Sequence, residues 1–277
     1  MNKSFSLQSG TLSDMREVSI EICGKMYSEA FLSSLDNDDS YKAGERASSS
    51  INKVIYARYI QEYIEVKLMN DGNICWKAVD EVPHYKYDFD YNSSFGLFHS
   101  DNRGEFGGTL ITPKSQMIRG NFFKLFELNG KVYAIDTLNH MAVSHTKIYE
   151  FNSNSEYKIL YETNSDDMLS LTGLTIAENK AYLLISGAVL GENHTFTGSK
   201  VQSILFEINN TGLTQLAVFD YEFHYVYNML IKDDNMILGM DKLVAVVNIK
   251  DKEIQAYSPL TTDAENDILK TAENKHF

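Results

Sequence analysis

Three stretches of this chain share one plan, and that plan limits the fold more than any other feature. "LFELNGKVYAID" (residues 125–136), "LTIAENKAYLLI" (174–185) and "MLIKDDNMILGM" (229–240) each read as apolar strand, polar turn, apolar strand. Asn, Asp and Gly at the turns supply the positive φ that tight hairpins demand, and the flanking runs of Ile, Val, Tyr, Phe and Leu read as strands. Each stretch is followed by a second strand pair, "KIYEFNSNSEYKILYE" (147–162), "SILFEINNTGLTQLAVFD" (203–220) and "LVAVVNIKDKEIQAYS" (243–258). Taking Gly130, Asn179 and Asn235 as equivalent turn positions gives spacings of 49 and 56 residues. A four-stranded propeller blade takes roughly 40–50 residues.

One small sheet cannot bury both faces alone, whereas stacked sheets bury them against their neighbours and leave only short edges. The sequence therefore predicts an all-β, propeller-like array of four to five antiparallel blades over residues 51–260, with residues 54–110 supplying one or two of them. A two-sheet sandwich or an irregular β domain is the competing architecture. Residues 1–50 read as an irregular or short helical extension packed on this domain, with helix potential near residues 26–35; residues 261–277 read as a tail or short helix.

Composition bounds the function. The 277 residues carry 43% hydrophobic side chains, 17 Tyr and 15 Phe, enough for a large core. The formal charge of -13 disfavours nucleic acid and anionic membrane as partners and favours cationic ones, although an acidic surface also serves plain solubility. Cys23 and Cys75 stand far apart without a CxxC pair, which suggests neither a disulfide framework nor a zinc site and fits a reducing compartment. The N-terminus has no uninterrupted apolar run of the export type, and no stretch approaches the roughly 20 apolar residues of a membrane span. These features predict a soluble cytoplasmic protein.

Chemistry-bearing motifs are scarce. "FHSDNRGEFGGTL" (98–110) sets His99, Asp101, Arg103 and Glu105 beside three glycines and reads as strand, turn at residues 101–104, strand. As a turn, it needs its glycines only for backbone conformation or close packing; as a rim loop, it would bind a ligand or partner. Near His99 no second histidine stands at ligand spacing, and "NHMAVSH" (139–145) places His140 and His145 five apart, on opposite faces if the strand is continuous. No HExxH, EF-hand, GxSxG, P-loop or GxGxxG pattern occurs. The sequence therefore predicts no catalytic residue, metal or cofactor.

What remains is an acidic, aromatic surface. In "DEVPHYKYDFDYNSSF" (80–95) the alternation puts Tyr85, Tyr87, Phe89 and Tyr91 on one strand face and Lys86, Asp88 and Asp90 on the other. "FDYEFHYVY" (219–227) repeats the mixture with Asp220, Glu222, His224 and Tyr225. Tyrosines give rigid contact area and carboxylates steer a basic partner, so Asp88, Asp90, His99, Asp101, Arg103, Glu105, Asp220, Glu222 and Tyr225 are the candidate partner-binding residues. An ordinary solvated sheet face is the competing reading.

With its "RGEFGG" turn (103–108) and its acidic, β-rich character, the chain resembles β-propeller-like immunity proteins of bacterial contact-dependent and polymorphic toxin systems. That resemblance implies binding and neutralisation of a cognate protein toxin, a basic nuclease-type one, by an acidic rim. The alternative function is a carbohydrate-active or sugar-binding propeller that uses His99 and Glu105.

Overall fold

The computed structural model describes residues 9–18, 54–55, 63–79, 88–140, 143–164, 167–189, 200–223, 226–240 and 243–258. In chain order the strands are β1 (Ser9–Thr11), β2 (Arg16–Val18), β3 (Val54–Ile55), β4 (Tyr63–Leu68), β5 (Ile74–Val79), β6 (Asp88–Ser93), β7 (Gly96–Asn102) and β8 (Gly108–Ile111). They continue as β9 (Met117–Arg119), β10 (Phe122–Leu128), β11 (Lys131–His140), β12 (Val143–Phe151), β13 (Tyr157–Glu162), β14 (Asp167–Ala177) and β15 (Lys180–Val189). The last are β16 (Lys200–Asn209), β17 (Gly212–Phe219), β18 (Glu222–Phe223), β19 (Asn228–Lys232), β20 (Asn235–Gly239), β21 (Val244–Asn248) and β22 (Ile254–Ser258). Among the described residues the architecture is all-β, with five small antiparallel sheets of the blade-like kind that the repeats predict and one two-stranded parallel pair, β18 with β3.

The hairpins form where turn chemistry asks for them. Asn129 and Gly130 have φ of 52° and 70°, Glu178 and Asn179 have 51° and 59°, and Asp233 has 52°. Lys232 pairs with Asn235 across the third turn, so the position equivalent to Gly130 and Asn179 is Asp234, one residue before the predicted Asn235. The true second spacing is 55 residues.

The unit Pro83–Val218 holds three four-stranded meanders, β6–β9, β10–β13 and β14–β17. The central strands of the middle one are buried on both faces, while its edge strand β13 leaves Tyr157 and Ile159 exposed. Val132, Ala134, Tyr149 and Phe151 pack against Phe98, Leu110 and Ile118 of the β6–β9 sheet. The alternate residues Tyr133, Ile135 and Ile148 pack against Leu169, Leu183 and Phe206 of the β14–β17 sheet. A register shift between Phe122 and Lys124 lets β10 serve both cores, with Phe122 and Leu125 in one and Phe126 and Leu128 in the other.

Two of these sheets share a buried polar signature that confirms the repeat. Tyr133 lies opposite Glu150, and Tyr182 lies opposite Glu207. Glu150 is held by Lys131 at 3.2 Å and Lys158 at 3.0 Å, and Glu207 by Lys180 at 3.0 Å. Burial pushes both carboxyls up, but the lysine contacts outweigh it and leave each below its ordinary range. Burial and the Glu150 charge push the Tyr133 hydroxyl up to about 12.

The unit Met1–Val82 with Phe219–Phe277 holds a three-stranded sheet, β1-β5-β4, and a five-stranded sheet, β19-β20-β21-β22-β2. They share a core of Met15, Ile64, Val66, Trp76, Ile237 and Val244. Asn228 imitates a strand neighbour: its Oδ1 accepts from the Val66 N–H at 2.9 Å and its Nδ2 donates to the Val66 carbonyl at 2.6 Å. Of the extension predicted for residues 1–50, residues 9–18 are built into these two sheets; the helix potential at 26–35 and the 261–277 tail lie outside the described residues. Among the described residues no helix is long and apolar enough to cross a membrane.

Candidate functional site

The β6–β9 sheet brings five of the nine candidate residues together. Its inner face carries Phe89, Tyr91, Phe98, Leu110 and Ile118 into the core, as the alternation predicts; Tyr85 and Tyr87 lie outside the described residues. Its outer face is laid out by register. One row runs Asp88, Asp101, Thr109, Arg119, and the next runs Asp90, His99, Ile111, Met117. Leu97 follows on β7, two residues from His99 and on the same face.

The charges on this face are braced against one another. His99 Nδ1 lies 2.7 Å from Asp90 Oδ1, and Arg103 donates to Asp101 Oδ2 through Nη2 at 2.6 Å and Nε at 2.9 Å. The Arg103 guanidinium holds the Asp101 carboxyl below its usual range, while Asp101 first and Asp88 after it raise Arg103. With Arg119 also present, the three carboxylates do not form an unopposed acidic field.

The quoted turn sits two to three residues later than the sequence predicts, at 103–107 rather than 101–104. β7 continues through Asp101 to Asn102, and the turn is a 3-10 segment, Gly104–Phe106, closed by Arg103 N–H to the Gly107 carbonyl at 2.8 Å. Gly107 has φ of 82°, and a Cβ on Gly108 would stand 2.4 Å from the Asp101 carbonyl and 2.7 Å from that of Gly120. Only glycine fits there. The turn presents Phe106, 84% exposed, while Leu97 and Met117 on the adjoining face are 49% and 65% exposed. Glu105 occupies the middle of the turn, with its side chain outside the described residues.

The other candidates lie elsewhere. Asp220 is exposed just after β17, Glu222 begins β18 in the unit that also holds Phe219–Phe277, and Tyr225 lies outside the described residues. His140 and His145 belong to two paired strands, β11 and β12, because the chain reverses between them; the opposite-face expectation assumed one strand. His145 Nε2 lies 3.0 Å from Asp136 Oδ1, and that same oxygen accepts the Asn121 N–H at 2.7 Å. This pair pins the passage from β9 to β10. Among the described residues no cluster of three or more His, Cys, Asp or Glu could hold a metal ion.

Sequence reasoning missed the apolar members of the face. Met117, Leu97 and Phe106 look like core residues in a linear reading; pairing puts Met117 in the row of Asp90 and His99, Leu97 follows His99 on the same strand face, and the 3-10 turn sets Phe106 beside Arg103.

No family model matches the chain, and no curated protein matches it. Solved structures with some likeness include the tricorn protease, at 7% identity and TM-score 0.34 over 71% of this chain and 25% of that one. A variant of the Synechocystis apocarotenoid oxygenase gives 7% identity and TM-score 0.32 over 70% of this chain and 60% of the other. A Bombyx mori beta-fructofuranosidase gives 10% and 0.28 over 77% and 62%. The chain thus spans a quarter of the first protein and three fifths of the second. At such scores the likeness carries no argument about activity.

Proposed function

We propose that this chain is a protein-binding module whose working surface is the outer face of the β6–β9 sheet with the turn at residues 103–107. The observation that carries this reading is the contrast within one sheet: its inner face is sealed, while its outer face leaves Leu97, Met117 and Phe106 exposed among Asp88, Asp90, His99, Asp101 and Arg103. Large apolar side chains ringed by charge are how binding surfaces are composed. A photoreactive amino acid at Leu97 or Met117 should crosslink one defined protein in cells, whereas the same group at Ile176, 46% exposed in the same unit, should not. Identical capture patterns from all three positions would overturn the assignment.

The narrower reading is a cytoplasmic immunity protein that neutralises a basic bacterial toxin. Its support is the overall charge of -13 and the exposure of Asp88 and Asp90. On this reading the captured partner is basic and toxic when expressed alone, and Asp88→Lys with Asp90→Lys slows association while raised salt weakens it. Salt-indifferent binding that survives both reversals would exclude it. The sugar-binding alternative has a separate readout: His99→Ala with Glu105→Gln should then abolish glycan retention and leave the crosslink at Met117 intact.

A further inference from the structure

The outer face of the β6–β9 sheet is electrically polarised, and its register shows how. The row Asp88, Asp101, Thr109, Arg119 crosses all four strands with one residue from each. Neighbouring strands stand about 4.8 Å apart, so Asp88 and Arg119 are separated by roughly 14 Å across the row. At the β6–β7 end two carboxylates share one guanidinium: Arg103 donates to Asp101 through Nη2 and Nε, and the Asp88 charge acts on the same arginine. That end keeps a negative surplus. In the next row Asp90 is taken up by His99, 2.7 Å from Oδ1 to Nδ1, and Ile111 and Met117 carry no charge.

At the β9 end the balance is reversed. Arg119 is exposed, and among the described residues no carboxylate pairs with its guanidinium and no acceptor takes its side-chain N–H groups. The acidic groups of this face answer to one another and to Arg103 and His99; Arg119 answers to none of them. Met117, 65% exposed, stands two residues away on the same face of β9. A guanidinium presents five donors in a flat fork that fits a carboxylate with two parallel hydrogen bonds, and an apolar neighbour covered on docking keeps water away from that pair.

On the reading of this face as the working surface, we propose that it docks a different protein in one orientation, with an acidic side chain of that partner seated on Arg119 beside Met117 and a basic one at Asp88. Complementary polarity fixes the register, because turning the partner about would set like charge on like at both ends. A second copy of this chain does not fit. Laying one face over another so that each Asp88 meets the other's Arg119 also sets Asp90 and His99 against Met117 and Ile111, which desolvates charge on apolar side chains. The recognition is local, and the chain's overall charge of -13 does not decide it.

A photoreactive amino acid at Leu97 of the full-length chain supplies the readout: the yield of the protein that the parent chain captures in cells. Arg119→Asp should lower that yield about tenfold or more, and Arg119→Lys, which keeps the charge and loses the fork, several-fold. The deciding variant exchanges the two ends, Asp88→Arg with Arg119→Asp. Its net charge stays at -13 while the polarity is inverted, and capture should fall as far as with Arg119→Asp alone. Both positions are exposed, and an unfolding midpoint at the parent's value checks that the variants fold. Should the exchange fail to fold, Arg119→Gln reads the loss of the positive end by itself. Capture at the parent's level by the exchange or by Arg119→Asp overturns the proposal, as does a captured protein that proves to be a second copy of this chain. Absence of any captured protein from the parent chain overturns the working-surface reading itself, and this inference with it.

Discussion

The β6–β9 and β10–β13 sheets are built alike, yet they meet their surroundings differently. Both are four-stranded meanders with alternating apolar residues. The β10–β13 sheet has Val132 and Ala134 in one core and Tyr133 and Ile135 in the other, so it separates two cores and exposes little along its central strand. The β6–β9 sheet seals Phe98, Leu110 and Ile118 and leaves the outer residues to solvent. The β10–β13 sheet leaves Tyr157 and Ile159 exposed on its edge strand β13, whereas the β6–β9 sheet keeps Leu97 of the central strand β7 in water as well. A sheet sealed along its central strands is scaffold, and one open there carries a contact surface.

The largest effect that separates the two is loss of a shared core side chain. Phe151 is 1% exposed and stacks 5.3 Å from Phe98 with its ring edge-on. Phe151→Ala should cost about 3–5 kcal/mol of stability by denaturant unfolding. Met117→Ala and Leu97→Ala should change it by no more than about 0.5 kcal/mol. If the outer-face variants destabilise as strongly as Phe151→Ala, that face is core and the comparison collapses.

Next comes Gly108, where the turn meets the sheet. An added Cβ would meet the Asp101 and Gly120 carbonyls, both fixed backbone, so Gly108→Ala should cost about 1–3 kcal/mol and shift the turn. Gly104→Ala meets nothing within 4 Å and pays only for its φ of 59°. Because Gly104 carries a smaller penalty, the ratio of the two costs separates crowding from backbone strain. Equal losses would remove the crowding account.

On the open face the effect moves from folding to recognition. Met117→Asp with Leu97→Ser should weaken partner binding about 10- to 100-fold, as removal of central anchors does, while the unfolding midpoint stays close to that of the parent. Binding titration against the crosslinked partner measures this, and unchanged affinity would make the exposed side chains incidental.

How much of this was legible in the sequence follows from the range of the forces involved. The hairpins at Asn129, Glu178 and Asp233 were, because turn conformation is decided within a few residues. The alternation that buries Phe89 and Tyr91 was legible for the same reason. The openness of the β6–β9 outer face was not, since the exposure of Leu97 and Met117 is settled by packing between elements distant in the chain rather than by the local alternation. β1 and β2 were hidden too: three residues each, polar in part, they are strands only because β5 and β22 present edges to them. Asp136 and His145 meet across a hairpin whose reversal the histidine spacing does not announce.

The smallest expected effect concerns the brace beneath the open face. Hydrogen bonding and charge from Arg103 hold the Asp101 carboxyl below its ordinary range. A depressed folded value means the brace contributes fully above the unfolded carboxylate pKa of about 3.9 and fades as pH falls through the lower folded value. Arg103→Gln should therefore lower stability slightly at neutral pH and not at all in strong acid, because Arg103 is exposed and Asp101 only partly covered, so solvent screens the pair. A penalty for Arg103→Gln that persists at acid pH would show that the arginine acts through its packing on the turn rather than through Asp101, and the charges of this face would then be positioned by the 103–107 backbone alone.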